Sequence, residues 1–271
     1  MRGIQSEMQR GGYLPMLMDA QTHRKLFDSY LKMVLERRAE AVIVIASWIF
    51  EEANLLADME KNNVPIVIVG RDLTSRGIPS IAVDNEEGGA LAMRHLLELG
   101  HRDIAVVRGP VEMFDSEPRW NGARHVAAQM GITIDSQLIF QLPDLVGPDS
   151  GFEGGASLAK AMLATGRKFS AVLAFDDLTA LGVVRGLSES GLRVPQDCTV
   201  VGFDDVLPAS VATPGISTIR QPLAEMGSIA AQWVLKAIES GQSAPANPPE
   251  VHWAQPQLVI RGSSAPLHGT E

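Results

Sequence analysis

The sequence has little of what most metal, redox and covalent-catalysis sites require. A single cysteine, Cys198, excludes an intramolecular disulfide and any metal site built from several cysteines. The six histidines form no H-x-x-x-H or H-E-x-x-H pair. No G-x-G-x-x-G motif follows a predicted strand, and no G-x-x-x-x-G-K-[ST] or G-x-S-x-G motif occurs. We therefore expect neither an enzyme nor a bound cofactor.

Positive charge is also scarce. The 271 residues contain 23 Lys and Arg against 32 Asp and Glu, which gives a net charge of −9. The one basic cluster is "ERR" at 36–38. Because proteins bind the phosphates of nucleic acid through basic patches, we do not expect this chain to bind DNA by itself.

Long apolar runs are missing as well. "AVIVIA" and "VPIVIVG" are far too short to cross a bilayer, and "MRGIQSEMQRGGY" lacks the apolar region of a signal peptide. The sequence therefore predicts a cytoplasmic protein that does not associate with membranes.

What the sequence does have is a regular alternation of short strands and amphipathic helices. The predicted strands are apolar on successive residues, which is typical of parallel strands covered on both faces: 13–19, 41–47, 65–70, 80–84, 103–109, 171–176 and 199–204. A helix predicted over 86–99 ends at Gly100, a residue that favours the left-handed helix cap. Such alternation predicts an α/β fold.

Polar residues follow several of these strands. In open parallel sheets, ligands bind at the carboxyl ends of the strands. Each residue taken singly could be a turn or a helix cap, but together they predict a ligand site: Ser47, Gly70 with Arg71, Asp84, Asp176 with Asp177, and Asp204 with Asp205.

Four segments resemble the effector-binding core of the LacI/GalR family of bacterial transcription regulators. They are "VDNEEGGALAMRHLLELGHRDIAVVRGP", "AVLAFDDLTALGVVRGLSESGLRVPQDCTVVGFDDV", "TPGISTIRQPLAEMGSIAAQWVL" and "PQLVIRGSSAP". The resemblance implies two doubly wound parallel-sheet subdomains of the type I periplasmic-binding-protein-like fold, joined by three crossovers. One subdomain would comprise 1–83 and 220–242, and the other 84–219 and 243–271.

The resemblance also implies residues that bind an effector. Arg119 in "PRWNG" matches the effector arginine, and a guanidinium can contact two hydroxyls or a carboxylate at once. Asp204 in "VGFDD" matches the effector acid, with Asp205 expected to be structural. Asp176 in "AFDD" stands where the family has an amide, which favours a ligand rich in hydrogen-bond donors. We expect replacement of Arg119 or Asp204 to leave thermal stability nearly unchanged.

Other candidates are less specific. Arg71 follows Gly70, which stands where many family members carry an acid. Trp48 and Trp120 could stack on a sugar ring or a base, although packing in the core explains each as well. Phe152 is the candidate for the aromatic residue expected ahead of a helix at 155–165.

The resemblance further implies partners. The expected partners are a small polar effector such as a sugar, a second copy of the chain, and operator DNA through an N-terminal domain that the matched segments do not contain. "FEEANLLADM" and "LTALGVVRGL" are candidate dimer segments, and an intrachain core is the alternative for both. The first core strand of the family is also unmatched, so we expect a fragment of a longer repressor. A solute-binding protein of a sugar transporter is the second interpretation, and a sugar-processing enzyme is the third.

Overall fold

The structure is a computed structural model that describes residues 1–20, 24–34, 36, 39–45, 64–143, 151–241 and 251–267. Two compact units share the chain. The first comprises Met1–Val83 and Pro222–Ala254, and the second comprises Asp84–Gln221 and Gln255–Glu271. The chain therefore passes from one unit to the other three times, at 83–84, 221–222 and 254–255.

The described helices and strands alternate along most of the chain. The helices are α1 (Arg2–Arg10), α2 (Arg24–Met33), α3 (Asn85–Glu98), α4 (Ser116–Gln129), α5 (Gly151–Ala164), α6 (Asp177–Glu189), α7 (Leu207–Val211) and α8 (Leu223–Ser240). The strands are β1 (Val42–Ile45), β2 (Ile66–Val69), β3 (Ser80–Val83), β4 (Ile104–Arg108), β5 (Ile139–Gln141), β6 (Ala171–Leu173), β7 (Thr199–Asp204), β8 (Ser217–Arg220), β9 (Val251–Ala254) and β10 (Gln257–Val259).

The first unit is built on a four-stranded parallel sheet with the order β1-β2-β3-β9. Apolar side chains from alternate positions of β2 enter different clusters. Val67 and Val69 pack with residues of α1 and α8, whereas Ile66 and Ile68 pack with Val34 and other residues of a second cluster. The continuous apolar strand in the sequence thus reflects a sheet covered on both faces, as expected.

Two predictions for this unit are wrong. Residues 13–19 do not form a strand: β1 is hydrogen-bonded to β2, and no described strand lies at its other edge to pair with 13–19. Residues 251–254 belong to the first unit and not to the second, because β9 pairs in parallel with β3 along its whole length. The sequence of β9, "VHWA", has no feature that identifies its partner strand.

The second unit contains a six-stranded sheet with the order β10-β8-β7-β6-β4-β5, in which β10 alone runs antiparallel to its neighbour. Its strands also contribute alternate residues to two cores. Ala105 and Val107 pack with α5 and α6, whereas Ile104 and Val106 pack with α3 and α4. Helices therefore cover both faces of the sheet, and the N-terminal ends of α4, α5, α6 and α7 follow the carboxyl ends of β4, β5, β6 and β7.

Local sequence signals place the helix ends. The side chain of Asp84 accepts a hydrogen bond from the Glu87 N–H at 2.9 Å and caps α3. Gly100, which follows α3, has the expected positive φ of 92°. Within the described ranges, no helix is long and apolar enough to cross a membrane.

Candidate ligand-binding site

The carboxyl edge of the six-stranded sheet gathers most of the polar residues that the sequence singled out. Asp204 ends β7, Asp176 lies just beyond β6, and Arg119 lies in the first turn of α4, which follows β4. All three belong to the second unit. Parallel sheets present ligand sites at this edge, so the geometry here decides what the unit could bind.

Arg119 is a buried residue, with 8% of its surface exposed. Its Nε donates to Asn85 Oδ1 at 2.9 Å, its Nη1 to the Phe175 carbonyl oxygen at 2.9 Å and its Nη2 to Asp115 Oδ2 at 2.7 Å. The guanidinium carbon lies 3.7 Å from the ring centre of Phe203. Arg119 is thus held rigidly, and two of its five N–H groups remain for other partners.

Two glycines let α3 and α4 approach closely enough to hold Arg119. A Cβ atom on Gly89 would lie 1.9 Å from the carbonyl oxygen of Arg119, and one on Gly122 would lie 1.8 Å from that of Glu86. Neither contact could accommodate a side chain without moving the helices. The backbone that carries Arg119 is therefore fixed by direct contact between the two helices.

Asp204 has an unusual backbone and a partly exposed side chain. Its φ is 110°, a left-handed conformation that is rare for residues other than glycine. Its Oδ1 accepts from Gln221 Nε2 and lies 3.7 Å from Nη2 of Arg119, and 28% of the side chain is exposed. The carboxylate therefore reaches solvent with one hydrogen bond and one nearby charge.

The pKa of Asp204 is raised to about 7. Burial is the main cause, and the charges of Asp176 and Asp177 raise it further, while Arg119 and Gln221 act in the opposite direction. Any ligand that donates a hydrogen bond to this carboxyl group, or that carries positive charge, would stabilise its ionised form.

Asp205 has the structural role that we expected. Its two oxygens pair with Arg220 Nε at 2.6 Å and Arg261 Nη2 at 2.5 Å. Burial raises its pKa, but the two guanidinium groups more than offset this, so the pKa lies below its usual value. Its φ of 61° turns the chain, which explains how two adjacent acids can meet different surroundings.

Asp177 was present in the strand-end pattern, but its role was not predicted. It is fully buried and accepts hydrogen bonds from the Val206 N–H at 2.8 Å and from Thr218 Oγ1 at 2.6 Å. Mainly because of burial, its pKa is raised to about 6. Asp177 thus ties α6 to β8 and to the turn that follows Asp204.

Asp176 caps α6, because its Oδ1 accepts from the Thr179 N–H at 2.7 Å. Leu173 of β6 pairs with Val201 of β7. Asp176 and Asp204 each lie three residues along the chain from that pair, Asp204 at the end of β7 and Asp176 beyond the end of β6. Parallel neighbours are about 4.8 Å apart, so the backbones bring the two acids to the same part of the edge.

The aromatic candidates lie in less open surroundings. Trp120 packs against the core between the sheet and α3 and α4, with the Arg108 guanidinium 5.6 Å from its ring centre. Phe152 lies in the first turn of α5, and the guanidinium of Arg185 lies 5.5 Å from its ring centre. No contact found among the described residues joins the Phe152 ring to Asp204.

The remaining candidates belong to the first unit. Arg71 is the second residue beyond β2 and is half-buried beside Gly70, whose φ is 108°. Ser47 and Trp48 lie outside the described residues, as does the candidate dimer segment 50–59. The second candidate dimer segment, 178–187, forms most of α6, and its Ala180, Val183 and Leu187 are buried in the core of the second unit.

Four residues around Arg119 were not predicted: Asn85, Asp115, Phe175 and Phe203. Asn85 and Asp115 start helices, where such residues are common as caps. Phe203 lies inside β7, and Phe175 lies two residues beyond β6, in the apolar run 171–176 that was predicted as a strand. The sequence contained one usable signal, the matching "FDD" after β6 and β7. Among the described residues, no group of three or more side chains is arranged to hold a metal ion.

The two sheets, each covered by helices and with polar groups at the carboxyl edges, define a periplasmic-binding-protein-like fold. A family model described as a periplasmic binding protein-like domain matches residues 93–264. The chain is 30% identical over 256 residues to the HTH-type transcriptional repressor PurR of Glaesserella parasuis serovar 5, covering 94% of this chain and 73% of the relative. It is 32% identical over 257 residues to the PurR repressor of Escherichia fergusonii, covering 94% and 72%.

Solved structures of transcription regulators also match this chain. The complex of the transcriptional regulator CelR with cellobiose matches with a TM-score of 0.82 and 25% identity, covering 97% of this chain and 77% of that one. A LacI family regulator from Enterococcus faecium with bound ribose matches with a TM-score of 0.81 at 24% identity, covering 99% and 93%. The chain belongs to the LacI family of transcription regulators and forms its effector-binding domain. Its relatives are regulators, not enzymes.

Proposed function

We propose that the second unit binds a small polar effector at the carboxyl edge of its sheet, with Asp204 as the principal contact. The observation that carries this proposal is the partial exposure of the Asp204 carboxylate and the absence of a closely bonded cation beside it among the described residues. The carboxylate is partly exposed and lies 3.7 Å from a guanidinium that is already bonded to Asp115. A carboxylate that costs free energy to bury and has an open face is typical of a binding site.

Several residues complete the proposed site. The two N–H groups of Arg119 that remain free of described partners can donate to ligand oxygens, and Asp176 can accept from ligand donors. Arg71, Ser47 and Trp48 remain proposed ligand contacts. Trp120 and Phe152 are proposed as apolar neighbours. The CelR relative was solved with cellobiose, which supports a sugar or a similar polyhydroxy compound as the effector.

We propose that this chain dimerises and acts in the cytoplasm as the sensing part of a repressor, as its relatives' name suggests. With a net charge of −9, the residues of this chain are poorly suited to contact operator DNA. Effector binding would instead alter DNA binding indirectly, through its different affinity for two conformations of the domain. Sedimentation of the 271-residue chain at high concentration tests the dimer, and a monomer throughout would contradict it.

A thermal-shift screen tests whether the chain binds a small molecule. The 271-residue chain would be heated with cellobiose, ribose, other sugars and purine bases at concentrations up to millimolar. A ligand at 100 times its Kd stabilises the folded state by about 2.7 kcal/mol, which shifts the melting temperature by several degrees. We expect a shift with at least one compound and a smaller shift in Asp204→Asn. A shift that is unaffected by this substitution would place the site elsewhere.

A further inference from the structure

The last described residues of the chain, 261–267, lie across the starts of β7 and β8, at the amino edge of the six-stranded sheet. We call this segment, "RGSSAPL", the C-terminal strap. The Val200 N–H donates to the Ser263 carbonyl oxygen at 2.9 Å, and the Leu267 N–H donates to the Leu99 carbonyl oxygen at 2.8 Å. None of its residues belongs to the apolar clusters of the described second unit. Hydrogen bonds therefore hold the strap, and such segments open locally at a modest free energy.

Two buried histidines contact the strap through their ring nitrogens. His95 of α3 places its Nε2 3.0 Å from Ser264 Oγ. His101, between α3 and β4, has its Nε2 3.1 Å from the Ala265 carbonyl oxygen and its Nδ1 2.9 Å from Ser170 Oγ. Only 5% of His95 and 3% of His101 is exposed. Each ring thus uses Nε2 to hold the strap, and both rings are shielded from water.

The contacts of His101 fit a neutral ring. Because a carbonyl oxygen only accepts hydrogen bonds, Nε2 carries the hydrogen that is donated to Ala265. In the neutral ring, Nδ1 then accepts from the Ser170 hydroxyl. A proton on Nδ1 would force that hydroxyl to turn away, and its other described acceptor, the Asp103 carbonyl oxygen, lies 3.5 Å away, which is a weak hydrogen bond at best.

The contacts of His95 lead to the same conclusion. Ser217 Oγ donates to the Arg261 carbonyl oxygen at 3.1 Å, so Ser264 Oγ, 2.7 Å from it, donates to Ser217. The Ser264 oxygen then accepts from Nε2 of His95. Among the described residues, Nδ1 of His95 makes no hydrogen bond, so a proton there would have no acceptor within the protein.

Few charges act on the two rings. Burial is the main cause that lowers the pKa of both histidines. Glu98 raises the pKa of His95, whereas the charge of His101 lowers it, and Arg102 lowers that of His101. Arg261, the charged residue of the strap, directs its guanidinium to the Ile216 carbonyl oxygen and to Asp205 instead. The cost of burying a charged ring therefore decides the state of each histidine.

We propose that His95 and His101 form a pH-sensitive latch, which holds the C-terminal strap on the second unit while both rings are neutral and releases it when they take up protons. Opening of the strap exposes both rings to water, where the pKa of histidine has its ordinary value of about 6.5. The closed state has the lower pKa values and binds fewer protons. Opening is therefore favoured as the pH falls below about 6.5. Release would also remove Arg261 from Asp205.

The size of the effect follows from the proton uptake. A histidine with a pKa of about 6.5 in the open strap and a much lower pKa in the closed one favours opening about tenfold more at pH 5.5 than at pH 7.5. Two such histidines together favour it by up to about a hundredfold. Opening should thus increase over a range in which the sheet itself remains folded.

Hydrogen exchange of backbone amides tests the latch in the 271-residue chain. Protection factors, which are corrected for the intrinsic pH dependence of exchange, would be measured by NMR at pH 5.5, 6.5 and 7.5. We expect Ala265 and Leu267 to exchange faster than Val172 of the central strand β6 at each pH, and to lose up to about a hundredfold in protection at pH 5.5. Protection that does not change with pH would overturn the proposal. Exchange of the strap and of Val172 at one common rate would also overturn it, because the strap would then open only when the chain unfolds.

Glutamine variants separate protonation from packing. His95→Gln and His101→Gln keep an N–H donor that can reach the strap but cannot titrate. We expect each to remove up to about tenfold of the pH-dependent loss of protection, and the double variant to remove all of it. His125→Gln, on the exposed face of α4, is the matched control and should leave the loss unchanged. If the histidines only pack against the strap, the first two variants would lower protection equally at every pH, and the proposal would be wrong.

Titration of the imidazole rings gives a second, independent readout. NMR of the ring nitrogens should show that His95 and His101 are neutral at pH 7.5, with hydrogen on Nε2, and that both take up protons only below the ordinary pKa of about 6.5. Resonances of Ser264 and Ala265 should shift over the same pH range. A midpoint at or above 6.5 for both rings, or strap resonances that do not follow them, would contradict the latch.

Discussion

Oδ1 of Asp204 lies 3.7 Å from Nη2 of Arg119, too far for a hydrogen bond. Asp115 holds the same nitrogen at 2.7 Å. Arg119 is therefore a buried support that is paired with another acid, and Asp204 is left as the group that we propose to contact the ligand. This difference sets the expected behaviour of variants at the two positions.

Asp204→Asn should stabilise the folded chain at neutral pH while weakening its ligand binding. Asn keeps the acceptor for Gln221 and tolerates a positive φ, but it removes a charge that is costly to bury. We expect the free energy of unfolding at pH 7.5 to rise by about 1 kcal/mol, or about 2 °C in Tm for a chain of this length. Calorimetry measures this change, and a loss of more than 1 kcal/mol would contradict the account of Asp204.

Asp205→Ala should have the opposite effect on stability. The substitution leaves Arg220 and the mostly buried Arg261 without their shared acid and places alanine at a φ of 61°. We expect a loss of about 3 kcal/mol in urea unfolding. Asp205→Asn serves as the matched control, because it keeps the left-handed turn and a hydrogen-bond acceptor, and it should lose less. An Asp205→Ala variant as stable as the wild type would show that the turn does not depend on these pairs.

Arg119→Lys should destabilise the chain, contrary to the expectation from the sequence. Lysine cannot keep the bonds to Asn85, Phe175 and Asp115 at the same time, and it loses the planar contact with Phe203. We expect a loss of about 2 kcal/mol in the free energy of unfolding. Arg124→Lys, on the exposed face of the same helix, is the control and should change little. Equal stabilities of the two variants would argue against the buried position of Arg119.

The contribution of the Asp177 and Asp204 carboxyls to stability should fall as the pH rises from 4 to 7, whereas the lowered pKa values of the buried His95 and His101 act in the opposite direction. The pKa values of Asp177 and Asp204 are raised to about 6 and about 7, above the ordinary value near 4 of an unfolded chain. At these two carboxyls the folded state therefore binds more protons than the unfolded state in this window, and their deprotonation costs stability as the pH passes through these pKa values. Urea unfolding of the wild type and of Asp204→Asn across the range isolates the part due to Asp204: the stability of the variant relative to the wild type should rise with pH. An unchanged difference across the range would assign the raised pKa to another group.

Much of the fold followed from the sequence because strand and helix patterns are local. The apolar runs at 65–70 and 199–204 predicted strands that the structure contains. Asp84 was included in the predicted ligand site, and the structure shows the alternative for it, a helix cap. The pairing of β9 with β3 joins residues about 170 positions apart, and "VHWA" carries no local sign of it. Residues 13–19 have the composition of a strand, but composition cannot supply the neighbouring strand that a ladder requires.

The roles of individual residues at the candidate site also depend on long-range contacts that the sequence does not show. Asp204 and Asp205 were distinguishable only by resemblance, because an isolated sequence does not show that Arg220 and Arg261 converge on one of them. The burial of Arg119 depends on two glycines in different helices, Gly89 and Gly122, which make contact only in the folded unit. Sequence patterns identified the edge that holds the candidate site, and the three-dimensional contacts show what each side chain pairs with.

The most direct test of the account is the Kd of wild type and Asp204→Asn for the compound that binds most tightly in the screen. Both would be measured by calorimetric titration at pH 7.5, well below the melting temperature of either protein. Loss of one charge-assisted hydrogen bond weakens binding by about 1.5–3 kcal/mol. The account predicts a Kd roughly ten- to more than a hundredfold higher in the variant, with no loss of stability. An unchanged Kd would show that Asp204 only ends a strand and that the proposed site is wrong.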